Sequence, residues 1–284
     1  MQKLMAIFAH PDDEGAMGGT LAKYAQQGVE IMLVCATRGE VGEISDPALA
    51  TAETLGEVRQ QELERACAIM GIQHLRWLDY RDSGMDGTPQ NEDPRALVQA
   101  DADEVRGKVV GLIRAFQPDV VVTFEPFGWY GHPDHIAMSR WATEAYPLAN
   151  DANAYPEMGD VWQPQRLYHS VIPFSIFGAM IQEAIAAGYI EDTGFSSNLP
   201  ADQQLKTEAT VTHIIDVLDW FDVSQEAVMA HATQFGEDSF FRKIPREMMR
   251  KTNATDHFIQ VIPTPDAELH TMRAGNLFAI KDFG

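Results

Sequence analysis

Residues 4–36 of the chain, LMAIFAHPDDEGAMGGTLAKYAQQGVEIMLVCA, decide the fold. Leu4–Ala9 and Val29–Ala36 are short, continuous apolar runs, which are typical of strands buried on both faces of a sheet. Between them, Gly15–Gln27 has the apolar spacing of a helix, and Gly28 supplies a stop signal. A strand, a helix and a second strand in this order predict a parallel sheet with a right-handed crossover.

The same alternation of strand and helix continues through residues 1–150. The predicted elements are helices at Gly56–Met70 and Ala102–Phe116 and strands at Leu75–Leu78 and Asp119–Phe124. Two stretches without a clear period, Arg38–Leu55 and Asp79–Ala100, are predicted to be loops. We therefore expect an α/β fold with a Rossmann-like, mainly parallel β-sheet flanked by helices.

The pattern weakens in residues 151–284. The elements predicted there are strands at Leu167–Ile172, Phe258–Ile262 and Leu277–Ile280 and helices at Ser175–Ala187 and Ser224–Gln234. Asp216–Trp220 fits neither pattern clearly. Because no repeat or linker divides the chain, we predict a single domain, residues 1–284. It would consist of a Rossmann-like core in residues 1–150 and a C-terminal elaboration in residues 151–284 that completes the substrate pocket.

Composition and charge exclude several classes of partner. The 284 residues include 21 Lys and Arg against 42 Asp and Glu, a net charge of −21. Such a surface repels phosphate backbones and anionic lipid headgroups, so neither nucleic acid nor a membrane is an expected partner. The two cysteines form no Cys-x-x-Cys pair, and the first apolar run is shorter than a signal sequence, so a cytoplasmic location is expected. The sequence leaves a homo-oligomer open.

The first predicted strand runs directly into His10-Pro11-Asp12-Asp13-Glu14. Ligands of open α/β sheets bind at the carboxyl ends of the strands, where a dinucleotide-binding fold would carry glycines. Three consecutive carboxylates would repel a pyrophosphate, which argues against NAD or FAD. Carboxylate and imidazole groups are instead the ligands of a hydrolytic metal ion. Glu14 would support such a site or cap the following helix.

The strand Asp119–Phe124 leads to a similar segment, Glu125-Pro-Phe-Gly-Trp-Tyr-Gly-His-Pro-Asp-His135. Because parallel strands end at one edge of the sheet, His10, Asp13 and His135 could bind one metal ion. Three protein ligands and a water define a catalytic zinc site. The alternative is structural: each histidine would be a surface residue, and each aspartate an ordinary helix N-cap.

Five segments resemble the PIG-L/LmbE family of zinc-dependent de-N-acetylases. They are Ala9–Glu14, Thr37–Gly42, Arg81–Met85, Gly131–His135 and His231–Gln234. Arg81–Met85 and His231–Gln234, with the chain length, are similar to the mycothiol-type branch, which includes a deacetylase and a mycothiol-conjugate amidase. The resemblance implies one Zn²⁺ per chain held by His10, Asp13 and His135, although Fe²⁺ or another divalent ion suits the same ligands.

The resemblance also implies the catalytic and binding residues. Asp12 corresponds to the general base, and His132 to the group that stabilises the oxyanion as an imidazolium. Asp134 would orient His132, and Tyr130 would donate a further hydrogen bond to the carbonyl oxygen. The residues implied for substrate binding are Arg59, His231 and Gln234.

The function implied is hydrolysis of an amide, most simply removal of the N-acetyl group from a small-molecule N-acetylglucosaminyl conjugate. An amidase that acts on thiol-sugar S-conjugates is an alternative within the same chemistry. A metal-dependent phosphoesterase is an alternative of another class, but such sites usually hold two metal ions and only one ligand set is found. A non-catalytic carbohydrate-binding protein is a third reading, and it gives Asp12 no role.

Overall fold

A seven-stranded sheet is the centre of the computed structural model, which describes residues 1–191, 206–265 and 274–278. In chain order the strands are β1 Lys3–Phe8, β2 Glu30–Thr37, β3 His74–Tyr80, β4 Val120–Phe124, β5 Arg166–Val171, β6 His213–Asp216 and β7 Thr255–Ile262. Their order in the sheet is β3-β2-β1-β4-β5-β7-β6. The first five strands of that order are parallel, and β7 runs antiparallel to both β5 and β6. The predicted α/β class with a mainly parallel sheet is confirmed.

Helices flank this sheet. In chain order they are α1 Gly18–Gln26, α2 Leu55–Met70, α3 Ala102–Phe116, α4 Gly128–Gly131, α5 Pro133–Leu148, α6 Phe174–Ala186, α7 Phe221–Met229, α8 Phe240–Lys243 and α9 Arg246–Thr252. A 3-10 turn, Asp13–Met17, precedes α1. The carboxylate of Asp101 accepts a hydrogen bond from the Asp103 N–H and caps α3, which has the predicted bounds. Helices α1 and α2 pack against α7, and α3 packs against α5.

The order of the strands reverses between β1 and β4. Strands β2 and β3 extend the sheet on one side of β1, and β5 follows β4 on the other. Side chains of β1 from Leu4 to Ile7 are fully buried, because helices cover a parallel sheet on both faces. Ligands of open α/β sheets bind in the crevice at such a reversal. The segments that follow β1 and β4 therefore face one another across this crevice.

The C-terminal part differs from the prediction in several places, and helices α8 and α9 were not predicted. Leu277 and Phe278 lie in a bend rather than a strand, and the other two residues of the predicted strand lie outside the described ranges. The predicted helix at Ser224–Gln234 is α7, which ends at Met229. Strand β6 was not predicted. In the described ranges, no helix has both the length and the apolar character needed to cross a bilayer.

Candidate active site

The chain makes a sharp turn directly after β1. Asp12 has a left-handed backbone with φ 103°, which is uncommon for a residue with a side chain. This turn brings the Asp13 carboxylate back over the end of the strand. Its Oδ2 accepts hydrogen bonds from the N–H groups of Ala9 (3.2 Å) and His10 (2.7 Å). Asp13 is therefore fixed at the strand end, with Oδ1 left for another partner.

Three potential ligand atoms converge in front of this turn. His10 Nδ1 lies 3.1 Å from His135 Nε2. Asp13 Oδ1 lies 3.2 Å from His135 Nε2, and Asp13 Oδ2 lies 3.5 Å from His10 Nδ1. Ligands about 2.1 Å from a tetrahedral zinc ion are about 3.4 Å apart, so the spacing fits such an ion. All three side chains are buried, with exposures of 6%, 6% and 0% for His10, Asp13 and His135.

The outer nitrogen of each histidine ligand has its own partner. His10 Nε2 lies 3.1 Å from Asp134 Oδ2 and 3.5 Å from Asp82 Oδ1. His135 Nδ1 lies 3.3 Å from the carbonyl oxygen of Gly128. Donation from these outer N–H groups leaves the two inner nitrogens as lone-pair donors, as in carboxylate–histidine–metal arrangements. The residues present thus fit a divalent ion.

The charges of the cluster also favour a cation. Burial opposes protonation of His10, but Asp82, Asp13 and Asp134 together raise its pKa well above the usual value. Burial likewise disfavours the charged form of Asp13, yet the neighbouring His135 and His10 hold its pKa well below the usual range. Three carboxylates around one imidazole therefore leave a deficit of positive charge, which a metal ion would neutralise.

Asp12 lines a cavity beside the three ligands. Its side chain is 24% exposed, and Oδ2 lies 3.3 Å from Nη2 of Arg59. Burial, only partly offset by Arg59, raises the pKa of Asp12 to about 6. A carboxylate with a pKa near the working pH is well suited to accept a proton. The two adjacent aspartates therefore differ in surroundings and in chemistry.

Arg59 is buried against the same turn. Its guanidinium donates to the carbonyl oxygens of Pro11 and Gly39, the latter at 3.0 Å. Gly39 has φ 64°, and a Cβ there would lie 2.0 Å from Arg59 Nη1, so only glycine leaves room for this side chain. With 3% exposure, Arg59 holds the turn around Asp12 rather than lining the cavity.

Glu14 contacts the backbone of Asp12, and His231 contacts Glu14. Glu14 Oε2 accepts a hydrogen bond from the Asp12 N–H at 3.0 Å, and Glu14 Oε1 lies 2.6 Å from His231 Nε2. Both side chains are 1% exposed, so the pair is shielded from water. Through His231, Glu14 therefore connects the turn at Asp12 to the turn that follows α7, 217 positions along the chain.

His132 lies beside the other two imidazoles, with its ring centroid 4.5 Å from that of His10 and 5.0 Å from that of His135. Burial and the neighbouring histidines lower the pKa of His132 to about 4. The expected imidazolium is thus not favoured. Its Nδ1 accepts a hydrogen bond from the Asp134 N–H at 3.2 Å, so the neutral ring carries its proton on Nε2.

The structure places several predicted residues in other roles. The Asp134 carboxylate contacts His10 and the N–H of Ser83 rather than the His132 ring. Arg59, His231 and Gln234, which were predicted to bind substrate, contact protein groups in this structure. Gln234 Nε2 donates to the carbonyl oxygen of Glu43 at 2.9 Å. His231 and Gln234 lie in a turn after α7 rather than in the helix predicted at Ser224–Gln234, so they do not share a helix face.

A cavity of about 380 Å³ opens next to Asp12 and Asp13. Tyr130, 43% exposed, lies at the same end, with its ring centroid 5.1 Å from that of His135. Five phenylalanines line the next part of the cavity, and we call them the aromatic wall: Phe174, Phe177, Phe235, Phe240 and Phe241. The size lies within the range of small-molecule binding sites.

Sequence reasoning missed three supporting residues. Asp82 faces His10 from the segment after β3, and its position after a third parallel strand was an available signal. Glu125 accepts hydrogen bonds from the N–H groups of Phe127 (2.7 Å) and Trp129 (2.6 Å), which shapes the loop after β4. Gly128 has φ 67°, and a Cβ there would lie 2.7 Å from the Cβ of His135. Contacts as specific as the last two carry no sequence signal of their own.

Comparison with known proteins identifies related sequences. Residues 5–146 match the model of the PIG-L family, described as GlcNAc-PI de-N-acetylase. A protein of Frankia alni named 1D-myo-inositol 2-acetamido-2-deoxy-alpha-D-glucopyranoside deacetylase 1 is 34% identical over 96% of this chain and 99% of its own. A deacetylase of the same substrate from Rhodococcus jostii is 39% identical over 82% of each chain.

Solved structures show how widely the fold is shared. The N,N'-diacetylchitobiose deacetylase of Pyrococcus horikoshii has a TM-score of 0.64 and 22% identity, covering 94% of this chain and 88% of its own. GalB of Pseudomonas putida, a 4-carboxy-2-hydroxymuconate hydratase, has a TM-score of 0.60 and 19% identity, covering 94% and 98%. Because a deacetylase and a hydratase share it, the fold alone does not determine the reaction.

Proposed function

The chain belongs to the PIG-L family of de-N-acetylases, and from this premise we propose that it removes the N-acetyl group from an N-acetylglucosaminyl conjugate. The reaction is hydrolysis of a linear amide, which yields acetate and a free amino sugar. The substrate is a small molecule, and the sugar-inositol conjugate of the curated relatives is the first candidate. The single observation that carries the proposal is Asp12, a partly exposed acid beside a set of metal ligands.

The proposed metal ligands are His10, Asp13 and His135, which would hold one divalent ion per chain. Zinc suits two imidazoles and one carboxylate, and iron is the alternative that the same ligands accept. The ion, when bound, supplies Lewis acidity that polarises the amide carbonyl and lowers the pKa of a water molecule. The set His10, His132 and His135 is also close enough to hold an ion. The first set is preferred because it adds the carboxylate of Asp13, whose oxygens lie 3.2 Å and 3.5 Å from the two imidazole nitrogens and whose charge favours a cation.

The proton transfers are proposed for residues of the chain. Asp12 accepts a proton from the attacking water, for which a pKa of about 6 is suitable near neutral pH. The same carboxyl returns that proton to the departing nitrogen, so the balance of protons closes. His132, neutral with its proton on Nε2, donates a hydrogen bond to the oxyanion, and Tyr130 is the second donor.

Substitution of Asp12 tests the proposal. Asp12→Asn keeps the shape of the side chain but cannot accept a proton, so we expect kcat to fall by at least 10²-fold while the metal content is unchanged. The assay is acetate release from N-acetylglucosaminyl-inositol, with metal content measured by elemental analysis. The matched control is Asp160→Asn, an exposed position outside the site. Wild-type turnover by Asp12→Asn would exclude the assigned base.

Metal content separates the proposal from the phosphoesterase alternative. We expect one ion per chain in the wild type and a large loss of bound metal in His135→Ala. His135 lies in α5, the helix that comes after β4, whereas the other two ligands follow β1, so the variant tests whether both segments bind the same ion. Two ions per chain would favour a two-metal phosphoesterase. Sugar binding with one ion but no turnover of any N-acyl substrate would favour a carbohydrate-binding protein.

A further inference from the structure

The turn that follows β4, residues 125–131, is held together by its first residue. The carbonyl oxygen of Glu125 accepts a hydrogen bond from the Gly128 N–H at 2.9 Å. The two carboxylate oxygens of Glu125 accept from the residues on either side, Oε2 from the Phe127 N–H at 2.7 Å and Oε1 from the Trp129 N–H at 2.6 Å. Three successive N–H groups therefore donate to one residue. Glu125 is 3% exposed, so water has little access to these groups.

The backbone conformation that these hydrogen bonds stabilise is a strained one. Trp129 has φ 61° and ψ −72°, the angles of the rare form of the γ-turn, which bulky residues seldom adopt. Hydrogen bonds from an N–H to a carboxylate are stronger than those to a neutral acceptor, and Trp129 donates one of them. Its side chain is a second anchor, because the indole Nε1–H donates to the Ser170 carbonyl oxygen on β5 at 3.0 Å. The carboxylate and the indole together offset the strain.

The strained residue lies between two groups of the candidate site. On one side of Trp129, the Gly128 carbonyl oxygen lies 3.3 Å from Nδ1 of His135. On the other side, Tyr130 lines the cavity beside Asp12. Tyr130 is 43% exposed, so its position depends mainly on the backbone that carries it. A change in the turn would therefore move Tyr130 relative to the reacting groups.

Resting on the proposed function, we propose that Glu125 is a positioning residue for the hydrolysis. Its carboxylate holds the turn at Trp129, and the turn holds the Tyr130 hydroxyl where it donates to the reacting carbonyl oxygen. Glu125 does not line the cavity with Asp12, so it acts through Tyr130 and not on the substrate. The alternative is a purely structural role, in which loss of the carboxylate lowers stability and affects the rate whether or not the Tyr130 hydroxyl is present.

A double-mutant cycle distinguishes the two roles. Wild type, Glu125→Gln, Tyr130→Phe and the double variant are loaded with one ion per chain and assayed below the lowest Tm for acetate release from N-acetylglucosaminyl-inositol. Glu125→Gln replaces one acceptor oxygen by an NH2 group that cannot accept, so we expect kcat to fall about 10–100-fold. In the Tyr130→Phe background the same change should lower kcat by less than about twofold, because the group that it positions is already lost.

Glu62→Gln is the matched control. Glu62, on α2, is 1% exposed and accepts hydrogen bonds from the N–H (2.8 Å) and the hydroxyl (2.6 Å) of Thr233, in the turn after α7. This variant also removes a buried carboxylate that holds a turn, so we expect Tm to fall. Any change in kcat should be the same factor with and without the Tyr130 hydroxyl.

A second measurement follows Tyr130 without turnover. Fluorine NMR of protein labelled with 3-fluorotyrosine gives a signal for each tyrosine, and Tyr130→Phe identifies the signal of this residue. We expect the signal to shift or broaden in Glu125→Gln and to stay unchanged in Glu62→Gln. If Glu125→Gln does not fold, Trp129→Phe removes the other anchor of the turn and should lower kcat only where the Tyr130 hydroxyl is present.

The outcomes distinguish this inference from the function on which it rests. A loss of kcat in Glu125→Gln that disappears in the Tyr130→Phe background, with a changed Tyr130 signal, supports the inference. Turnover by the wild type with equal losses in both backgrounds, or with an unchanged Tyr130 signal, overturns the inference and leaves the proposed deacetylase intact. Failure of the wild type on every N-acyl substrate overturns the proposed function, and the inference with it.

Discussion

Replacement of His231 by alanine should damage both the stability and the catalytic rate of this protein. Glu14 and His231 are each 1% exposed and 2.6 Å apart, so the variant leaves a buried carboxylate without its partner. Breaking such a pair typically costs about 3–5 kcal/mol of folding free energy. At roughly 2 °C per kcal/mol for a chain of this size, Tm should fall by about 6–10 °C.

The rate should fall because Glu14 also binds the N–H of Asp12, whose backbone is held at φ 103°. Loss of a comparable supporting contact usually costs 10–100-fold in activity. We expect kcat for N-acetyl release to fall by that factor in His231→Ala. KM should change less than twofold, because neither Glu14 nor His231 lines the cavity. Metal content should be unchanged.

Two further variants make this measurement decisive. His231→Gln retains an amide N–H that can donate to Glu14, so we expect it to recover most of the lost kcat. His169→Ala removes another buried imidazole, whose Nε2 lies 3.1 Å from Thr143 Oγ1, and should lower Tm without lowering kcat. The reasoning would be refuted if His231→Ala, assayed at a temperature below its Tm, had the same kcat as the wild type. It would also be refuted if His169→Ala lost as much kcat as His231→Ala.

Three other substitutions have expected outcomes. Asp134→Asn keeps an acceptor for His10 but removes the charge, so metal affinity should fall about 10–100-fold in competition with a chelator; unchanged affinity would contradict the role of this contact. Gly39→Ala adds a methyl group that would overlap the Arg59 guanidinium, so both Tm and kcat should fall. If neither Tm nor kcat changed, the turn would have adapted to the larger side chain. Burial lowers the pKa of His213 to about 4, well below the usual value for histidine. Stability should therefore decline as pH falls from about 6.5 to 4, by up to about 1.4 kcal/mol per pH unit for this group, and His213→Asn should flatten the decline of Tm in that interval.

The pattern of apolar residues along the chain was sufficient to predict the strands at the centre of the sheet. The apolar runs of β1, β2 and β4 and the stripe of α3 predict their elements, because strands buried on both faces and amphipathic helices leave a periodic record in sequence. Strand β6 has only four residues, too few for a period to stand out. Leu277 is fully buried although it lies in a bend. Its backbone N–H donates to the Tyr24 hydroxyl, so this polar group is satisfied without a neighbouring strand. Burial of an apolar run therefore does not require a strand.

Some residues of the candidate site could likewise be predicted from the sequence, and others could not. His10, Asp13 and His135 could be paired from sequence because each follows a predicted parallel strand. In the structure the two histidine nitrogens are 3.1 Å apart, and each lies within 3.5 Å of a carboxylate oxygen of Asp13. The partners of Arg59 and His231 could not be predicted, since both depend on contacts between segments distant in the chain. The sequence around His231 therefore does not show whether its side chain contacts substrate or protein.

The reversal of strand order between β1 and β4 also determines when the residues of the proposed metal site come together during folding. His10 and His135 are 125 positions apart, so during synthesis the first half of the site leaves the ribosome long before the second. The two halves meet only when β4 pairs with β1, and that pairing buries apolar side chains and needs no ion. We therefore expect the proposed ion to bind after the central sheet has assembled. A shortage of that ion would then limit the active fraction of the protein and not the yield of folded chains.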